Sequence, residues 1–146
     1  MAKQRKFNLK QVQQGGRTAM ERSIILIGNE AKNFFVASFR KQGFDNRSVE
    51  HWKPRKKEDN RKGRAILVDS GDLRRSIVRE PVNKSQLKVK ISTDLPYAKI
   101  HNEGLNGMAW GKHPFKMPKR QFMGDSYKLN ELCKKIIVLQ LDKIFK

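Results

Sequence analysis

The chain has 146 residues, enough for one domain with a real core, and its Lys and Arg outnumber Asp and Glu by 33 to 14, a formal net charge of +19. So large an excess opposes self-packing and favours a polyanionic or strongly acidic neighbour, either nucleic acid or an acidic protein surface. A single cysteine, Cys133, excludes an intrachain disulfide and a cysteine-cluster metal site, and the longest apolar runs, IILI at 24–27 and IIVL at 136–139, are far too short to span a bilayer.

Residues 1–16, ending QVQQGG, read as a basic arm or a frayed first helical segment, with one domain following over 17–146. The arm has no apolar stretch behind its charges, so it does not read as a secretion signal; a soluble protein of a reducing cytoplasm is expected. Thr18 stands three residues before Glu21, a capping-box pattern. A long helix is predicted from there to about Lys41, through Ile24, Ile27, Ala31, Phe34, Phe35 and Ser38, with Gly43 as its stop. Residues 44–64, FDNRSVEHWKPRKKEDNRKGR, read as an extended basic loop anchored by Trp52.

Ser70 is the expected cap of a short helix through Leu73 and Ile77. SIVREPV and LKVKIST then form a hairpin around NKSQ, with Leu87, Val89 and Ile91 facing inward between Lys88, Lys90 and Ser92. PYAKIHNEG has a proline at its start and Gly104 at its end, the frame of another short helix. Residues 105–118 are Gly- and Pro-rich and read as a loop. A final helix over 125–146, capped by Asp125 or Ser126, carries the stripe Leu129, Leu132, Cys133, Ile136, Ile137, Gln140, Leu141 and Ile144. The order predicts an α+β fold: long N-terminal and C-terminal helices packed on a small antiparallel sheet, with long loops.

Four constellations carry candidate chemistry. His101 with Glu103 suggests a general base and its orienting group, but i and i+2 point apart on a helix, and no serine or cysteine stands in a nucleophile context. Packing and hydrogen bonding at a helix end is the preferred reading of His101. His51, His101 and His113 lack metal-site spacing. Asp69 and Asp72 match the carboxylates of a metal-dependent nuclease, yet a turn and helix start explain them more simply. Lys53, Arg55, Lys56, Lys57, Arg61, Lys62 and Arg64 are candidates for contact with a polyanion or an acidic partner; a solvated loop is the equal alternative. No aromatics interleave them as on a single-strand-binding surface, and neither long helix carries a groove-reading face.

Three stretches together resemble one family: FRKQGFDNRSVEHWKPRKK, ILVDSGDLRRSI, and TDLPYAKIHNEG followed by MPKRQFMGDS. Their succession, over residues 34–145, is similar to the phage virion morphogenesis or tail-completion proteins of Mu type. The matched positions are Trp52, Ser70, Gly71, Leu73, Ser76, Ile77, Tyr97, Ala98, His101, Gly104, Pro118, Arg120 and Phe122. Lys119 departs from the pattern, where a small residue is common, and so does the heavy positive charge.

The resemblance implies a structural virion protein, made in the host cytoplasm, with no enzymatic reaction and no cofactor. It implies a ring at the neck or tail end that joins head to tail, and a hexamer fits it. The implied partners are copies of itself, neighbouring neck, portal-side or tail-tube proteins, and DNA passing through the lumen; no membrane is involved. Tyr97 and Ala98 would pack the short helix on the sheet, hydrogen bonds would hold His101, and Gly104 would release the chain into the next loop. Two other classes stand beside this one: a sequence-independent nucleic-acid-binding protein, and a hydrolase or nuclease using His101 or Asp69 and Asp72.

Overall fold

The computed structural model describes residues 8–56, 58–61 and 63–145. The first seven residues of the basic arm, and Lys57 and Lys62 of the basic loop, lie outside the described residues. The first helix, α1 (Leu9–Lys41), begins well before Thr18. Asn8 caps it, its side-chain oxygen accepting from the backbone N–H of Lys10 at 3.1 Å and of Gln11 at 3.5 Å. Thr18 lies inside the helix and returns its hydroxyl to the Gln14 carbonyl at 3.0 Å, so the Thr18–Glu21 pattern is no capping box. Two adjacent glycines weaken a helix by roughly 1 kcal/mol each. The chain stays helical there because Gly15 packs closely against Ile144 of the last helix.

α1 ends on Gln42, not Gly43. Gln42 adopts a left-handed conformation, and its amide nitrogen donates to the Phe39 carbonyl at 2.6 Å and the Ile66 carbonyl at 3.1 Å. The basic stretch after it is not all loop: β1 (Gly43–Asp45) and β2 (Val49–His51) form an antiparallel hairpin that buries Phe44. Strands of three residues are too short to show an alternation in sequence.

Beyond the basic loop, α2 (Asp72–Ser76) leads into β3 (Val78–Arg79), which pairs antiparallel with β4 (Ile91–Ser92). This is the predicted hairpin with shorter strands, its pairing carried outward by Glu80 N–H to the Lys90 carbonyl and by the Asn83–Lys88 bridge. It crosses α1 at Gly28, where a Cβ would lie 2.6 Å from Arg79 Cδ and 2.7 Å from Val89 Cγ2. Only a glycine allows that approach.

The short helix α3 (Ala98–Glu103) ends as predicted on Gly104 in a left-handed conformation, with φ 69°. The segment 105–118, expected to be a loop, contains a second surprise: β5 (Asn106–Ala109) pairs with β6 (His113–Lys116). α4 (Tyr127–Phe145) completes the chain.

The fold is α+β, with three separate two-stranded antiparallel ladders in place of one small sheet. α4 runs antiparallel to α1, its end beside Gly15 and its start beside Asp45 and Asn46. Ser126, not Asp125, caps it: the Ser126 hydroxyl accepts from Leu129 N–H at 3.2 Å and donates to the Asp45 carbonyl at 2.7 Å. The Asp45 carboxylate holds Lys41 on one side and Lys128 on the other, and these two ammonium groups lower its pKa. One residue thus fastens the end of α1 to the start of α4.

The core has two parts. Ala31, Phe35, Phe44 and Leu129 fill the space between the long helices, and Phe39, Trp52, Leu73, Ile77, Ala98 and Phe122 fill the space beneath the short elements. Among the described residues no helix is long and apolar enough to cross a membrane.

Candidate partner-binding cleft

The segment 118–122 is a hub to which distant parts of the chain are tied. Trp52 is buried against Phe39, and its indole N–H donates to the Gln121 carbonyl at 2.7 Å. Arg120 donates Nε and Nη2 to the Lys53 carbonyl, both at 3.2 Å. From α3, the His101 carbonyl accepts from Arg120 N–H at 2.8 Å, and the Asn102 side chain accepts from Phe122 and Met123 N–H at 2.9 and 3.0 Å. Asn102 had no sequence signal; a short polar side chain in a short helix looks like any solvated one.

These ties open a cleft of about 650 Å³ between the 53–61 loop, the 69–73 turn, α3 and Pro118. It gathers Lys53, Arg55, Lys56 and Arg61 from the basic loop with Ser70, Gly71, Leu73, Tyr97, His101, Pro118 and Arg120 from the sequence motifs. Trp52 and Phe122 lie behind it in the core. Gly104 stands beside it, against the backbone of Lys119. Arg64 pairs with Asp69 at 3.5 Å, one of the lining residues.

The basic loop is organised from within by Arg55, whose side chain is only 11% exposed. Its guanidinium donates to the carbonyls of Arg61 at 3.0 Å, Arg64 at 2.8 Å and Ala65 at 3.3 Å, and lies 3.8 Å from Asp59. Lys53, Lys56, Arg61 and Arg64 are exposed. Asp59 is held below the usual carboxylate range by the Arg61 backbone N–H first, with the Arg61 and Arg55 charges assisting. Asp72 is lowered likewise, by the Ser70 hydroxyl and then by Arg75, whose Nη2 lies 2.6 Å away. Ser70 also accepts from Asp72 N–H at 3.3 Å, while Gly71 takes the cap position of α2.

His101 differs from expectation. Its Nδ1 is buried without a hydrogen-bond partner, and its ties to the fold run through its backbone carbonyl. Burial, and then the Arg120 charge, push its pKa below the ordinary histidine value. Ala98 packs inward as expected. Tyr97 does not: it is 40% exposed and meets His101 edge-on at 6.1 Å.

Arg120 is 8% exposed, yet among the described residues no carboxylate lies within salt-bridge distance of it. Burial and then the nearby Arg55 charge lower its pKa, while the Asp59 charge acts the other way from beyond salt-bridge distance.

The Ser70 hydroxyl donates to Asp72, and His101 Nδ1 contacts neither it nor Glu103, so no nucleophile–base pair forms. Asp69 and Asp72 are held by Arg64 and Arg75, and the described residues contain no cluster of three metal-ligating side chains. Burial raises the Cys133 pKa, which disfavours its thiolate.

No curated protein and no solved structure matches the chain. The sequence profile of one family does, from residue 12 in the first turns of α1 to residue 142 near the end of α4, and so includes all three ladders and the whole cleft. By this match the chain belongs to the phage virion morphogenesis family and has a structural, virion-assembly role.

Proposed function

We propose that the protein is a ring-forming subunit at the neck or tail end of a tailed phage, where it joins head to tail or completes the tail. It acts by assembly and catalyses no reaction. Its partners are copies of itself and the neck, portal-side or tail-tube proteins that flank the ring, with a hexamer as the expected symmetry.

The observation that carries this reading, beyond the family, is the β5–β6 hairpin. Its two strands pack almost wholly on each other, and a two-stranded hairpin alone is marginally stable in water. At its tip Trp110 is 91% exposed in a left-handed conformation, with φ 50°. Met108, 59% exposed, stands on the adjoining strand. That positive φ, with Gly111 at 68°, is what a tight hairpin turn requires, closed here by Lys112 N–H onto the Ala109 carbonyl at 3.2 Å. An aromatic held out on an arm suits a head-to-tail contact with the next subunit, the kind of contact that closes a ring.

Deletion of the gene should leave DNA-filled heads and separate or unstable tails in negative-stain micrographs. Infectious particles of normal shape that lack the protein would sink the reading. A second reading, sequence-independent nucleic-acid binding, is favoured by the exposed Lys53, Lys56, Arg61 and Arg64 on one loop. Its signature is affinity for duplex DNA that falls steeply with salt.

A further inference from the structure

Arg120 is a buried cation with an unmet bond. Nε and Nη2 share one carbonyl, that of Lys53. Among the described residues Nη1 has no partner, and it is not among the polar atoms sealed from solvent. Asp59 acts on it only from a distance; a guanidinium taken out of water with no counter-charge in contact is destabilising, and an ionised acceptor bonds to it more strongly than any neutral group.

The cleft's own acids do not serve. Asp59 is engaged by Arg55 and Arg61, Asp69 by Arg64, and Asp72 by Arg75. On the same wall His101 Nδ1 is a second polar atom without a partner. Around them Leu67, Leu73, Met117 and Pro118 supply an apolar lining.

We propose that this cleft receives a carboxylate-bearing segment of a neighbouring polypeptide, whose acidic side chain pairs with Arg120 while its stem packs on the apolar wall. The inference rests on the reading of the protein as a subunit that assembles with neighbours, and it gives one of them a chemistry: a short acidic stretch in extended form. Nucleic acid fits the recess poorly. Glu58, Asp69 and Asp72 are exposed at its lining, so a stiff duplex backbone laid across it would bring phosphates against carboxylates. A flexible peptide places one carboxylate at Arg120 and turns its others toward the exposed Lys53, Lys56 and Arg61.

The test uses the full-length protein, isotopically labelled, and hexaglutamate blocked at both ends, at physiological salt. Binding should move the Arg120 Nε–Hε resonance and the signals of His101 and residues 70–73. Arg120→Gln should weaken binding about tenfold or more. Lys134→Gln, which removes the same charge from an exposed pair on α4, should change it less than about twofold. If Arg120→Gln does not fold, the position of the shifts on the unaltered protein decides the question. Shifts scattered over the exposed lysines, or equal losses in both variants, overturn the proposal. So does a short DNA duplex that moves Arg120 while hexaglutamate does not. Such a failure leaves the virion reading standing, because that reading fails only on particles that assemble normally without the protein.

Discussion

Burial and the Arg120 guanidinium both disfavour protonation of His101. The folded pKa therefore lies below the ordinary value of 6.5. On acidification the unfolded chain takes up the proton first, and stability falls as pH drops from neutrality through the folded pKa. The charge that acts on the imidazole is that of Arg120, and the Tyr97 ring meets it edge-on. Urea unfolding between pH 7 and pH 5 should show a downward slope in the wild type that is flatter in His101→Gln. An unchanged slope would mean that another group sets the acid response. At the same scale, the sequence placed His101 at a helix end. It did not show the orphaned Nδ1, because that depends on Arg120 and Pro118 arriving from another part of the chain.

Elements here are fixed by their ends. Gly104 has a positive φ, and a Cβ on it would lie 2.8 Å from the backbone nitrogen and Cα of Lys119. Gly104→Ala should therefore cost about 2 kcal/mol or more, from the left-handed backbone and from displacement of the 118–122 hub. The check is a lower urea midpoint together with weaker protection of the Trp52 indole N–H from exchange. A change below about 0.5 kcal/mol would show that the hub yields without strain. This helix end was legible, since a proline and a glycine bracket the segment. Ser126 and the apolar stripe of α4 were legible for the same reason: a cap and a period stand close together in sequence. The start of α1 was not, because Thr18–Glu21 imitates a cap and two glycines imitate a break, while the packing of Gly15 on Ile144 decides otherwise. The 105–118 hairpin was hidden by its own composition. Gly107, Gly111 and Pro114 signal a loop, yet Pro114 occupies a ladder position opposite Met108.

Across the whole molecule the net charge of +19 acts against compactness, and exposed pairs such as Arg17–Glu21 and Lys134–Glu131 offset little of it. Raising NaCl from low to moderate concentration should screen this repulsion and lift the melting temperature by about 2–5 °C. A fall would mean that the ion pairs outweigh the repulsion. The family assignment, drawn from motifs spread over the chain, extends over residues 12–142. The cleft was legible only as a set of residue names. Ser70, Tyr97, His101 and Arg120 stand far apart in sequence, and carbonyls of Lys53 and His101 bring them together, a kind of contact that leaves no mark in side-chain pattern.

The two tryptophans sit at opposite extremes: Trp52 is buried in the core with its N–H bonded, and Trp110 is in water at the tip of an arm. The chain therefore carries two intrinsic fluorophores with separate duties. Trp52 emits from an apolar surrounding and reports whether the subunit is folded. Trp110 emits from solvent, open to a soluble quencher, and under the proposed assembly would lose that access when the arm meets a neighbour. Folding and assembly can thus be followed in one cuvette without a dye.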